Sequence, residues 1–167
     1  MSGTARPMKS LSDLAATPSR KAHRATQSRR HASLESLHRL EAACDAPARG
    51  RAEPWLDRVR MALAEFRRTL AEEEQAVCGS SGLFENIRSD EPRLAAETLR
   101  IATQYGELAD SIKQLEQHLA PAEGPESLDF NQWRQQIADL TARYRKLRAQ
   151  EADLIFDAYS TDIGAGD

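Results

Sequence analysis

Aromatic residues make up only 5% of this 167-residue chain, and the β-branched residues are few and scattered. Those are the side chains from which sheets are built, so their scarcity excludes a β-fold. No apolar run approaches the roughly 20 residues needed to span a bilayer. The first residues carry no apolar stretch of the kind a secretory signal needs. Two cysteines, Cys44 and Cys78, are too few for a disulfide framework, and both are expected as reduced thiols of a soluble, cytoplasmic protein. A glycine-rich phosphate loop, a Cys-x-x-Cys pair and a zinc-type histidine pair are all missing. With no Ser–His–Asp arrangement to place either, a hydrolase or transferase is unsupported, and the chain is expected not to be an enzyme.

What remains is helix-forming. Ala, Leu, Glu, Arg and Gln dominate. Hydrophobic residues at 40% and charged residues at 29% fit a globular helical domain, and the length suits one domain with a sizeable core. The net charge of −3 conceals an asymmetry. Residues 1–30 hold seven Lys/Arg and a single acid, Asp13, whereas the remainder carries 16 basic and 25 acidic residues. Residues 1–27 are expected as a disordered basic arm, residues 28–160 as the folded body and residues 161–167 as a flexible tail. Through Arg20, Lys21, Arg24, Arg29 and Arg30 the arm would touch nucleic acid or an anionic membrane. A plain solvated tail and an organelle transit peptide are the competing readings.

Four helices follow from periodicity. The first is expected over 28–47, with His31, Leu34, Leu37, Leu40 and Cys44 on one stripe. The second, over 54–76, opens on Pro54, and its stripe is Leu56, Val59, Leu63, Phe66 and Leu70, with Thr69 and Glu73 on the inward side. The third, over 91–119, has Asp90 as its expected N-cap. Its stripe runs through Thr98, Ala102, Tyr105, Leu108, Ile112, Leu115 and Leu119. The fourth is a heptad seam of Phe130, Trp133, Ile137, Leu140, Tyr144, Leu147, Glu151, Leu154 and Ala158. Joined by short loops, these helices bury their stripes best as an antiparallel up-down four-helix bundle.

Polar residues on those stripes matter most, because a buried carboxylate is costly unless paired, hydrogen-bonded or bound to metal. His31, Thr69, Glu73, Tyr105 and Glu151 define one inward layer to which all four helices contribute. Such a layer can hold iron, manganese or zinc. Alternatively, Glu73 and Glu151 accept hydrogen bonds from Tyr105, Tyr144, His31 or a nearby arginine, or one of them reaches water at a helix end. His23, His38 and His118 are expected to be solvated or half-buried.

These segments resemble the hemerythrin-like, or HHE cation-binding, family. The likeness is carried by His31-Ala-Ser-Leu-Glu-Ser-Leu-His-Arg-Leu, by Phe66-Arg-Arg-Thr-Leu-Ala-Glu-Glu-Glu, and by Gly82-Leu-Phe-Glu-Asn-Ile with Glu91-Pro-Arg-Leu. The closing run from Glu151 to Asp167 is similar to the end of bacterial members. The resemblance covers about residues 28–167 and implies a bundle whose histidines and carboxylates hold a non-haem di-iron centre. It implies His31, Glu73 and Glu151 as surviving ligands, with Tyr105 as a further candidate. Thr69, Tyr105 and Leu147 stand where the family has histidines. The expected function is therefore a hemerythrin-like protein with a degenerate site and no cofactor, acting as a structural, interaction or regulatory module. The alternative is a divergent iron protein, di-iron or mononuclear, in oxygen, nitric oxide or iron sensing or storage.

Overall fold

The computed structural model describes residues 18–119 and 129–160, with side chains from Arg24 onward. The expected arm residues 1–17, the 120–128 linker and the 161–167 tail lie outside the described residues. All regular structure among the described residues is helical. Helix α1 spans Pro18–Asp45, α2 Ala52–Cys78, α3 Leu83–Asp90, α4 Ala95–His118 and α5 Phe130–Ser160, with a 3-10 turn at Pro92–Leu94 before α4. No helix among the described residues is long and apolar enough to cross a membrane.

The four long helices pack in a ring, α1 on α2, α2 on α4, α4 on α5, and α5 back on α1. Contacts between neighbours run in opposite sequence order. Along α1 and α2, Thr26 meets Ala76, Ser36 meets Thr69, and Cys44 meets Trp55. The stripes read from sequence line the core: Leu37, Leu40 and Cys44 from α1, Val59, Leu63 and Phe66 from α2, Ile112 from α4, and Ile137 and Leu147 from α5 are all buried. Two edge-to-face ring pairs cross between helices, Trp55 with Phe130 at 5.0 Å and Phe66 with Tyr144 at 5.5 Å.

The orphan carbonyls that end a helix find long side chains from its neighbours. Trp55 Nε1 and Arg134 Nε both donate to Cys44 O at 3.2 Å, at the end of α1. Arg60 Nε donates to Leu119 O at 2.8 Å, beyond α4. At its start α5 is capped by Asp129, whose Oδ1 accepts from the backbone N–H of Asn131 and Gln132.

Three local expectations are corrected. Helix α1 begins at Pro18, ten residues before the expected start, and Thr26 within that extension is fully buried. Asp90 does not cap α4; it is the last residue of α3. The stretch between the second and third expected helices contains a further helix, α3, because Leu83, Phe84 and Ile87 lie four apart or less and bury together.

Two glycines set the connections. Gly50, at φ +68°, makes the α1–α2 turn in a conformation that other residues adopt only with strain. Gly82 has an ordinary φ of −78°, so its role is steric. A Cβ there would stand 2.7 Å from Val77 O and 2.9 Å from Ala76 O. Gly82→Ala is expected to destabilise the fold by about 1–3 kcal/mol, the usual cost of overpacking against atoms that cannot turn away. Urea denaturation checks this, and an unchanged midpoint would refute the close approach.

Candidate functional site

Midway along the bundle, a polar layer interrupts the apolar core. Glu73 on α2 and Glu151 on α5 are both 0% exposed. Heptad spacing carries Glu151 inward, four residues after Leu147 and three before Leu154; Glu73 holds the same place on α2, three before Ala76 and four before Val77. Tyr105 on α4, also fully buried, reaches both carboxylates, with its hydroxyl 2.9 Å from Glu73 Oε1 and 3.2 Å from Glu151 Oε2. A phenol has one proton, so it donates to one carboxylate at a time. Tyr144 donates to Glu73 Oε2 at 2.8 Å.

Two guanidiniums complete the layer. Arg30 Nη2 bonds Glu151 Oε1, and Arg148 Nη1 bonds Glu151 Oε2 while lying 3.6 Å from Glu73 Oε1. Two positive and two negative charges thus meet in one plane. Burial works against the Arg148 charge, but the charges of Glu151 and Glu73 outweigh it and raise its pKa. Burial, followed by the charges of Glu151 and Glu73, raises Tyr105 well above the ordinary phenol value. Burial and then Glu73 do the same to Tyr144. Both tyrosines are therefore neutral donors at physiological pH.

Around this centre the layer is lined with hydroxyls. Ser36 Oγ and Thr69 Oγ1 are 2.6 Å apart, and Thr69 also donates to Phe66 O at 3.1 Å. Ser33 Oγ is buried near the Tyr144 hydroxyl without completing a hydrogen bond of normal geometry. Leu147 is buried on the same seam.

Of the residues expected at the site, Glu73, Tyr105 and Glu151 are brought together, and Thr69 and Leu147 are buried on the same helices. His31 is not. Its side chain is 75% exposed and faces Glu35 at 3.5 Å. Helical phase explains this. Three residues fall about 60° short of a full turn, so the successive three-residue steps Leu37–Leu34–His31 swing away from the core. The steadier alternation of three and four, through Cys44, Leu40, Leu37, Ser33 and Arg30, marks the face that is buried. Arg30, expected to touch nucleic acid or membrane, is instead turned inward with 11% of its side chain exposed, and Arg29 pairs with Glu72. Arg24 is exposed, as are His38 and His118. Side chains of Arg20 and Lys21 lie outside the described residues. Arg148 was also missed, although it stands on the seam four after Tyr144 and three before Glu151.

The donor set does not fit the family's metal centre. Each carboxylate already faces a guanidinium, and a cation among them would sit against two positive charges. Among the described residues, no histidine enters the layer. Among the described residues, no group of three or more His, Cys, Asp or Glu could hold a metal ion.

Removing one side of a buried ion pair strands the other. Glu151→Leu leaves Arg30 and Arg148 without their shared acceptor, and a loss of about 3–5 kcal/mol is expected in urea denaturation. Adding Arg30→Met should recover part of that loss; a double variant no more stable than the single one would show that the charges are not coupled. The tyrosines and thiols add a pH dependence. Burial pushes Cys44 up to about 11 and Cys78 up to about 12. Groups whose folded pKa is raised stabilise the fold fully below their unfolded value and lose that contribution as pH rises through the folded one. The urea midpoint should therefore start to fall above about pH 9 for the thiols and about pH 10 for the tyrosines. With both cysteines replaced by alanine, the onset should move toward pH 10. A midpoint that holds steady to pH 11 would refute this.

Comparison with protein-family models, curated proteins and solved structures brings no match.

Proposed function

We propose that this chain is a hemerythrin-like protein whose antiparallel up-down bundle encloses an ion-pair layer where the family holds metal. On this reading it works in the cytoplasm as a non-enzymatic structural, interaction or regulatory module. The observation that carries the reading is the partnership of the two buried carboxylates. Glu73 accepts both phenols, and Glu151 accepts both guanidiniums. Each acid therefore has internal donors for the role a cation would fill. The opposite sequence order of contacts around the helix ring supports the up-down arrangement.

A second reading draws on Tyr105, which brings both carboxylates within reach of one hydroxyl. Were the guanidiniums displaced, those acids would offer an oxygen-rich site for iron or another single metal.

Metal analysis of the full chain from iron-replete cells, beside its visible spectrum, separates the two. The first reading expects no iron above background and no oxo-bridged absorption, before or after loading with iron, manganese or zinc. Two irons per chain with that absorption would overturn it. The second expects bound metal that disappears in Glu73→Ala and Glu151→Ala.

A further inference from the structure

On the outer side of the polar layer, α1 and α5 diverge into a groove of ≈ 450 Å³. Arg30, His31 and Leu34 line it from α1, spaced so that they share one helical face. Tyr144, Arg145 and Arg148 line it from α5. Three guanidiniums and an imidazole thus converge on a single cleft, and no carboxylate is among its lining residues. That is unusual placement for a chain whose residues beyond 30 carry nine more acids than bases.

The acids that pair with these arginines lie elsewhere. Glu151, bonded by Arg30 and Arg148, is 0% exposed and sits behind them. Glu41, 3.2 Å from Arg145, is part of an exposed pair that contributes little. A guanidinium has five N–H donors. Arg30 commits Nη2 to Glu151, while its buried Nε meets no acceptor. Arg148 commits Nη1 inward, and its side chain remains 27% exposed. The cleft is thus lined by the exposed parts of two guanidiniums, 11% of the Arg30 side chain and 27% of that of Arg148, where partial burial strengthens their pull on an anion. Leu34, 40% exposed, is one of the few large apolar side chains at the surface of the described residues, and it stands at this cleft. A strongly hydrated ion gains nothing from a leucine, whereas a carbon chain does.

We propose that the α1–α5 groove binds a small amphiphilic carboxylate, with its head group at Arg30 and Arg148 and its carbon chain against Leu34. The volume is of the size that accommodates small organic ligands, in the range of about 300–1,000 Å³. Arg145 stands at the mouth and attracts the anion. The inference rests on the first reading above, in which Arg30 and Arg148 stay paired with Glu151.

The test is calorimetric titration of the full chain with octanoate, octylammonium and inorganic phosphate in turn, with amide-resonance mapping to locate binding. Octanoate should bind, and the shifts should fall on residues 27–34 and 144–148. Leu34→Glu and Arg145→Glu alter exposed positions, and each should weaken binding by at least about tenfold, the first by setting a carboxylate against the carbon chain and head group, the second by reversing a charge beside the head group. Circular dichroism melting confirms that the variants are folded. No octanoate binding would overturn the proposal, as would equal binding of octylammonium, which makes the site merely apolar. Phosphate binding as tightly as octanoate, or a Leu34→Glu variant that binds octanoate normally, would also overturn it.

Discussion

Glu151 enters a core otherwise built from leucine, isoleucine and aromatic rings, and it does so as an acid with no contact with water. Desolvating a carboxylate costs several kcal/mol unless its lone pairs are met. Here they are met by Arg30 of α1 and Arg148 of its own α5, with the Tyr105 hydroxyl of α4 at 3.2 Å able to donate in alternation with its bond to Glu73. Glu73 of α2 is tied into the same layer through Tyr105 and Tyr144. Each long helix therefore contributes to one shared polar layer, and their relative heights and rotations must satisfy it together. Apolar packing tolerates a slide of one helix along another far better than a hydrogen-bonded layer does.

The layer also shapes how α1 is held. From Arg24 to Ser36 the residues that α1 buries are Thr26, Ser33 and Ser36, with Arg30 largely covered among them. Its apolar anchors, Leu37, Leu40 and Cys44, come only afterward. The first half of this helix is thus docked through hydroxyls and ion pairs, including Arg29 with Glu72 and Thr26 with Ala76 O. The second half is docked by hydrocarbon and by the Trp55 and Arg134 contacts at its end. Polar docking of this kind is more directional and less forgiving than burial. It leaves the α1–α5 seam as the place where the charged layer comes closest to solvent.

Arginine plays two parts in this fold. At the layer it neutralises buried acids. At helix ends it supplies donors to carbonyls, as Arg60 does beyond α4 and Arg134 does at the end of α1. Its planar fork and permanent charge suit both tasks. Arg148 stands between the two carboxylates, bonded to Glu151 and 3.6 Å from Glu73 Oε1.

The α class, the four long amphipathic helices and the inward position of Glu73, Thr69, Tyr105, Leu147 and Glu151 were determined by the sequence, because a 3.6-residue period over long segments has one consistent face. The long seams of α2 and α5 left little freedom in phase. Helix α1 was different. Its first half is polar on every side, so hydrophobicity could not choose between the face bearing His31 and the one bearing Arg30. Short α3 was hidden for a related reason: eight residues are too few for a period to stand out. Only the tertiary structure decided that arginines rather than a histidine meet the carboxylates. Which partner a buried charge finds depends on how far neighbouring helices are rotated and where long side chains can reach, and neither is encoded in the period of a single helix.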